Sequence, residues 1–346
     1  MEQRPLVVRC GAMGDMVILL SLIEALRRRF GQPVDVVTSG GWSRPLLQGQ
    51  PGVGRIHVVG SRKTPFLFST EQRQVIAGLR GEGPRPTWVC DTGHWPIRLL
   101  HRAGFGNEWI AVAVKDCRIL PDEHHVDRWL RFAQCTPRAV GSAAASLGDV
   151  ADLRSPPLHV LPAWRDDLEQ WLRAKGIRDE PLYLVQAGNK RTMRWWAPKS
   201  RDTNTKYWPE DRWAAVIRTM LAGDATARVI LLGVPAEAAL NDDITRLAGS
   251  DRVLNAAREL PIPRLVALQA RAAGMVSTDT GPAHSAGAVD CPLVVLFGEA
   301  KVARYAPRSP SGRLEVLVGP EGHRPRMQGI TVADVESAWR RLSLRL

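Results

Sequence analysis

Apolar runs of four or five residues alternate along this chain with longer stretches whose hydrophobic positions recur every three or four residues. That rhythm predicts strands alternating with amphipathic helices. Leu6 to Cys10 is an apolar run, followed by the turn Gly11-Ala12-Met13-Gly14-Asp15 and then by helical spacing through Met16, Leu19, Leu22, Ile23 and Leu26. Val34 to Thr38, Ile56 to Val59 and Trp88 to Asp91 continue the series as short β-rich runs between helical or Gly/Pro-rich segments. Such alternation is expected of a doubly wound parallel sheet in an α/β protein.

Ser155 to Pro162, reading SPPLHVLP, breaks the rhythm. Its prolines hold the backbone toward extended conformations, so the segment reads as a linker. Beyond it, Trp164 to Lys175 has helical spacing, and Leu182 to Gln186 opens a second α/β series continued by Val229 to Leu232, Gly274 to Ser277 and Leu293 to Phe297. Val332 to Leu342 looks like a closing helix. The expected organisation is two doubly wound domains of similar size facing each other across a cleft, 1–160 and 161–330, with 331–346 as the closing helix.

The length of 346 residues allows two such domains, each with its own core. The formal net charge is +12; Lys plus Arg against Asp plus Glu is 20 minus 14 over residues 1–160 and 27 minus 21 over the rest, so the excess is spread over both halves. A surface of that sign favours nucleic acid, anionic lipid headgroups or a phosphorylated substrate. The chain has no zinc finger, no aromatic pattern of an RNA-recognition motif and no helix-turn-helix, so no nucleic acid is expected as a partner.

No run of about 18 apolar residues suits a membrane span. Asp15 and Glu24 interrupt the apolar N-terminal segment, a poor signal peptide, and a cytoplasmic protein is expected. Cys10, Cys90, Cys117, Cys135 and Cys291 are scattered without a CxxC pair and read as buried free thiols. The run from Asp122 to Asp127, with His124 and His125, lacks further ligands at helical spacing, so no metal is expected there. Trp208 and Trp213, among twelve tryptophans, read as packing residues.

Candidate chemistry gathers where strands give way to helices. Val276 to Ala288 reads as a strand, a polar turn and a helix start, with Pro282 at a first helical position. Amides at such a start would face a phosphate; equally, Asp279 and Thr280 would serve as ordinary caps. Asp15, at the C-terminal edge of a parallel sheet, is either a general base or a helix cap. Gly11 and Gly14 make no GxGxxG fingerprint, and no Walker motif occurs. In the second half, Gln186-Ala187-Gly188-Asn189 follows a strand, and Lys206 stands just before a helix beginning at Trp208-Pro209. An ammonium there suits a diphosphate, although a solvated lysine is the alternative. Glu237, in the turn Gly233-Val234-Pro235-Ala236-Glu237, is placed either to meet ribose hydroxyls or a base amine, or to complement a helix dipole.

In order and spacing, these pieces resemble glycosyltransferase family 9, the ADP-heptose lipopolysaccharide heptosyltransferases, over nearly the whole chain. The matching segments are Gly14-Asp15 after the first strand, His125-Val126-Asp127-Arg128, Lys206-Tyr207-Trp208-Pro209-Glu210, Gly233 to Glu237, Asp279 to His284, and Phe297-Gly298. The resemblance implies a GT-B fold that binds acceptor on the N-terminal domain and nucleotide sugar on the C-terminal one. It assigns Asp15 as catalytic base, Lys206 as a diphosphate contact and Glu237 as a nucleoside contact. Asp279, Thr280, Gly281 and His284 fall on the donor loop, Gly188 and Asn189 on the polar turn after the first strand of the second domain, and Ile262 at an apolar contact to the base. Gly14, Arg62 and Lys63 are the acceptor-side candidates.

The reaction implied is inverting, metal-independent transfer of heptose from ADP-L-glycero-D-manno-heptose to the lipid A-linked core of lipopolysaccharide, without a cofactor. A different nucleotide sugar, such as a uronic acid or hexosamine donor, and a non-catalytic nucleotide-sugar-binding protein are the alternatives. Ala187-Gly188 stands where the family has Pro-Gly, an insertion rich in Arg and Lys precedes Lys206, and Phe297-Gly298-Glu299-Ala300-Lys301 replaces an FGPTDP-like segment. Arg62-Lys63 followed by Phe66-Leu67-Phe68 suits the cytoplasmic face of the inner membrane; a loop tucked onto its domain is the competing reading.

Overall fold

The computed structural model describes residues 4–62, 64–143, 146–189, 204–298, 302–322 and 326–343. Lys63, the basic insertion at 190–203 and Glu299 to Lys301 lie outside the described residues. The chain divides into two compact units, Met1–His159 and Val160–Leu346, and the division falls within the proline-rich stretch.

The first unit runs β1 (Leu6–Val8), α1 (Met13–Phe30), β2 (Val34–Ser39), α2 (Ser43–Leu47), β3 (Val53–Val59), α3 (Thr70–Glu82), β4 (Thr87–Val89), α4 (Trp95–Arg102), β5 (Ile110–Val112), α5 (Ala113–Asp116) and α6 (His125–Phe132). Its strands are parallel in the order β3-β2-β1-β4-β5. The second unit runs α7 (Pro162–Ala174), β6 (Leu182–Gln186), α8 (Glu210–Gly223), β7 (Arg228–Leu231), α9 (Ala238–Ala248), β8 (Val253–Asn255), α10 (Ile262–Arg271), β9 (Gly274–Thr278), α11 (Gly281–Ala288), β10 (Leu293–Phe297), α12 (Val302–Tyr305), β11 (Leu314–Val318) and α13 (Val332–Ser343). Here the parallel order is β11-β10-β9-β6-β7-β8. Two doubly wound α/β units of this kind make up a GT-B fold.

A strand covered on both faces must be apolar at every position, which is why β1 and β10 read as runs rather than alternations. All residues of both are buried. The expected strands are present with small changes of boundary. The sequence reading did not place β5, β8 or β11. The first two have three residues each and, unlike the equally short β1 and β4, are not buried at every position; β11 is a half-exposed strand at the end of its sheet, interrupted by Glu315.

The second core is closed by aromatic packing. Trp208 and Trp213 meet edge to face with ring centres 4.8 Å apart, a geometry that the ring quadrupoles favour. Each buried indole N–H has a carbonyl: Trp208 Nε1 donates to Ile330 O at 2.9 Å, and Trp213 Nε1 to Trp208 O at 3.1 Å. Val335, Ala338, Trp339 and Leu342 of α13 join the same core. All five cysteines are free thiols, and Cys135 alone of them is not fully buried. Among the described residues, no helix is long and apolar enough to cross a membrane.

Both sheets share one topological property. The chain leaves β1 toward β2 on one side and returns to β4 on the other; likewise β6 lies between β7 and β9. Successive connections therefore leave on opposite faces, and a crevice opens at the C-terminal ends of β1 and β4 and of β6 and β9.

The turn from α11 to β10 is fastened by Asp290, which has left-handed backbone geometry (φ 62°). Burial alone would raise its carboxyl pKa, but hydrogen bonds from Ser309, Ser311 and Arg313 override this and hold it at about 2. A depressed folded-state pKa contributes stability that is present above the unfolded value and lost as pH falls from 3.8 to about 2. Asp290→Asn is therefore expected to flatten the acid limb of thermal stability across that window. A variant whose melting curve keeps the wild-type acid slope contradicts the assignment.

Candidate active site

The crevice of the first unit is built on charge. Asp15 occupies the first turn of α1, and its Oδ2 accepts the Ala12 N–H at 2.8 Å. Ala12, not Asp15, holds the cap position; the carboxylate reaches back from inside the helix, as the acid of a capping box does. Its Oδ1 takes the Arg9 guanidinium at 2.7 Å. From the end of β1, Arg9 also reaches Cys90 O at 3.1 Å and Asp91 Oδ1 at 3.4 Å, just past β4. Asp91 Oδ2 accepts the Cys10 N–H at 2.9 Å, and the Arg9 guanidinium lies 5.9 Å from the centre of the Trp129 ring.

Burial pushes the Asp91 carboxyl pKa up, while Arg9, the Cys10 N–H and the Arg62 charge pull it back, leaving it raised. Arg62 is exposed, yet its field is felt at both Asp91 and Cys10. Burial and Asp91 push the Cys10 thiol up to about 12, so it stays protonated. Gly14 is buried beside Asp15 in the same first turn. Lys63 lies outside the described residues. Sequence reasoning missed Arg9 and Asp91. The available signal was a charged residue standing within two positions of the end of each buried strand.

In the second unit, Lys206 Nζ meets Asp279 Oδ2 at 2.6 Å and the Asp279 carbonyl at 2.7 Å. This lysine is ion-paired rather than simply solvated. A knot of amides fixes its backbone: Asn189 Nδ2 donates to Lys206 O at 3.0 Å, the Lys206 N–H donates to Asn204 Oδ1 at 3.0 Å, and Asn204 Nδ2 donates to Asn189 Oδ1 at 3.3 Å. Asn204, which sequence reasoning also missed, thus joins the turn after β6 to the segment before α8. Gly298 packs on that segment so closely that a Cβ would overlap the Thr205 carbonyl oxygen.

Thr280 holds the cap position of α11 without a side-chain cap bond; its hydroxyl instead donates to Thr278 O at 3.2 Å. The Asp279 side chain is engaged with Lys206. The capping alternative is therefore not what these two side chains do, and the helix start retains its partial positive charge. Gly281 opens α11 and His284 lies buried in it.

Glu237 is 3 % exposed. Its Oε2 accepts the Val234 N–H at 3.0 Å, and Gln186 Nε2 lies 3.5 Å away. Gly188 O receives Gln186 Nε2 at 3.0 Å and Thr278 Oγ1 at 3.3 Å. Gly188 lies against the Glu237 carboxylate, where a Cβ would overlap it. Gly188, Asn189, Lys206, Glu237 and Asp279 thus form one connected cluster at the ends of β9, β6 and β7. Ile262 is half-buried at the first residue of α10, in the connection from β8 to β9.

The Asp122–Asp127 run does different work from that of a metal site. His124 Nδ1 accepts the Val126 N–H at 3.1 Å and caps α6, while Arg128 donates to Cys117 O and Ala113 O. No group of three potential metal-ligating side chains forms a cluster among the described residues.

Two doubly wound units, each with charged and polar side chains gathered at the C-terminal ends of its parallel strands, are the architecture of the GT-B glycosyltransferases. The model of "Glycosyltransferase family 9 (heptosyltransferase)" matches residues 111–328, and the chain belongs to that family. It is 24 % identical over 325 residues to lipopolysaccharide heptosyltransferase 2 of Salmonella typhimurium, covering 90 % of this chain and 88 % of the relative. Among solved structures it is similar to a family 9 glycosyltransferase of Veillonella parvula, with TM-score 0.80 and 16 % identity over 100 % of this chain and 98 % of the other. It is also similar to the ADP-heptose lipopolysaccharide heptosyltransferase II of E. coli, with TM-score 0.73 and 20 % identity over 99 % of both chains.

The packing of Gly188 on Glu237 yields a direct test. Gly188→Ala should destabilise the protein by about 1–3 kcal/mol, the usual cost of forcing atoms into a filled site. The readout is a lowered melting temperature; an unchanged one shows that Glu237 does not pack on Gly188.

Proposed function

We propose that this glycosyltransferase moves heptose, with inversion, from ADP-L-glycero-D-manno-heptose to the lipid A-linked inner core of lipopolysaccharide. The reading rests above all on the Lys206–Asp279 pair at the uncapped start of α11, joined to Glu237 through Gly188. The names of the relatives supply the sugar and the acceptor. The second unit takes the donor and the first takes the acceptor.

Asp15 removes the proton of the acceptor hydroxyl as the anomeric carbon gains oxocarbenium character, the work of a general base in inverting sugar transfer. The diphosphate leaves toward Lys206 and the amides of Gly281 and its neighbours, which take the part that a divalent cation plays elsewhere. Asn189 holds the Lys206 backbone, Glu237 receives ribose hydroxyls, Ile262 lies against the base, and Thr280 and His284 complete the donor loop. Gly14 lets the acceptor approach α1, and Arg62 and Lys63 attract its phosphates and carboxylates.

The acceptor is a lipid, and the first unit offers a surface for it. Phe66 is half-buried beneath Arg102, 4.9 Å from ring centre to guanidinium, whereas Leu67 and Phe68 are 71 % and 79 % exposed. The tucked-loop reading therefore holds for Phe66 alone. Two exposed apolar side chains among Arg62, Arg73 and Arg102 suit an anionic headgroup boundary.

Asp15→Asn is expected to lower kcat about 10²–10⁴-fold, the usual worth of a general base. Stabilisation by ADP should be retained, and a chelator should leave the wild-type rate unchanged. Substantial turnover by the variant rejects Asp15 as base. In the same thermal-shift format, ADP-heptose should stabilise the protein more than UDP, GDP or CMP sugars, and preference for a non-adenine nucleotide rejects the donor.

Replacing Leu67 and Phe68 together by serine should weaken co-sedimentation with anionic liposomes about tenfold or more, given roughly 1.5–3 kcal/mol per buried apolar side chain. Turnover of a delipidated acceptor should not change. Liposome binding that ignores the substitution rejects this surface.

A further inference from the structure

We infer that Arg9 is a positioning residue for the transfer reaction: it holds the Asp15 carboxylate in one orientation and is itself anchored by Asp91. The inference rests on the reading of Asp15 as the base. It goes beyond that reading by giving the base a support built from the neighbouring strand.

Asp15 and Asp91 come from opposite sides of the first crevice, after β1 and β4, where Val8 and Val89 are in register. Cys10 and Asp91 are 81 residues apart in the chain, yet the Cys10 N–H binds Asp91 Oδ2 at 2.9 Å. Arg9 completes the bridge with one nitrogen on Asp15 at 2.7 Å and the other near both Cys90 O and Asp91. The base thereby gains a hold outside its own helix.

Orientation follows from where two of the contacts fall on the carboxylate. Ala12 N–H fixes one oxygen and Arg9 the other. Loss of Arg9 removes the hold on Oδ1 that comes from outside the helix, while the Ala12 contact on Oδ2 is kept. A proton acceptor that turns away from its hydroxyl loses rate without losing substrate affinity.

Two further features favour a positioning role over general stabilisation. Arg9 Nε is buried and has no hydrogen-bond partner among the described residues, a loss of satisfaction that structures tolerate mainly where function sets the geometry. Asp91 is a nearly buried carboxylate, and such groups add little net stability compared with apolar packing. Both make sense if the guanidinium fork is placed for Asp15. A lysine would bring the charge but not the planar fork that spans Asp15, Cys90 O and Asp91.

Arg9→Lys is the discriminating variant. It should lower kcat roughly 10- to 100-fold, as a misplaced catalytic group does, while the donor KM stays within about twofold, since ground-state binding is untouched. Its melting temperature and its ADP-induced shift should remain near wild type. Asp91→Asn keeps an acceptor for the Cys10 N–H but loosens Arg9, so its kcat should fall by a smaller factor with the same unchanged KM; it also serves if Arg9→Lys fails to fold.

The inference is overturned if either folded variant keeps wild-type kcat, or if kcat falls only together with the melting temperature and donor KM. Asp15→Asn, run alongside, separates the two claims. An active Asp15→Asn removes the base assignment itself, whereas an inactive Asp15→Asn with a fully active Arg9→Lys removes the role of Arg9 alone.

Discussion

A parallel sheet covered by helices on both faces has no room for an ionisable side chain except at the ends of its strands. Everything chemical in this protein obeys that constraint. β1, β4 and β9 are buried throughout, and charge appears within one or two residues of their C-terminal ends: Arg9 after β1, Asp91 after β4 and Asp279 after β9. The doubly wound order then decides which of these ends become neighbours. β1 with β4 brings Arg9 to Asp91, and β6 with β9 brings Asn189 and its partner Lys206 to Asp279.

The two crevices use ion pairs of opposite emphasis. In the first, a guanidinium with three acceptors steadies a carboxylate that keeps about a quarter of its surface open, 28 %. In the second, a carboxylate steadies an ammonium beside a helix start that carries no cap of its own. In the proposed reaction the first supplies an oriented, partly open carboxylate as base, and the second receives negative charge as a diphosphate departs. The close approaches at Gly188 and Gly298 serve the second crevice by letting Glu237 and the Lys206 segment lie directly against the sheet ends.

The fold was largely legible in the sequence because buried strands leave unbroken apolar runs. Leu182 to Gln186 and Leu293 to Phe297 were read to the residue. β5 and β8 were not: with three residues each they have no period, and neither is fully buried, unlike the equally short β1 and β4. Asp15, Lys206, Glu237 and Asp279 stood out because each follows a turn after a strand or precedes a helix. Arg9, Asp91 and Asn204 did not, because their meaning lies in which strands become neighbours, and pattern along the chain does not state that. At Phe66 to Phe68 burial differs from residue to residue: Phe66 packs under Arg102, while Leu67 and Phe68 face outward, and pattern along the chain does not state that either.

The central claim is that the polar cluster at the ends of β9, β6 and β7 receives the donor diphosphate. An experimental structure of the protein with ADP-heptose tests it most directly. The diphosphate is expected within hydrogen-bond reach of Lys206 Nζ and of the first amides of α11, with the ribose beside Glu237. A donor bound away from Lys206, or held by the first unit, contradicts it.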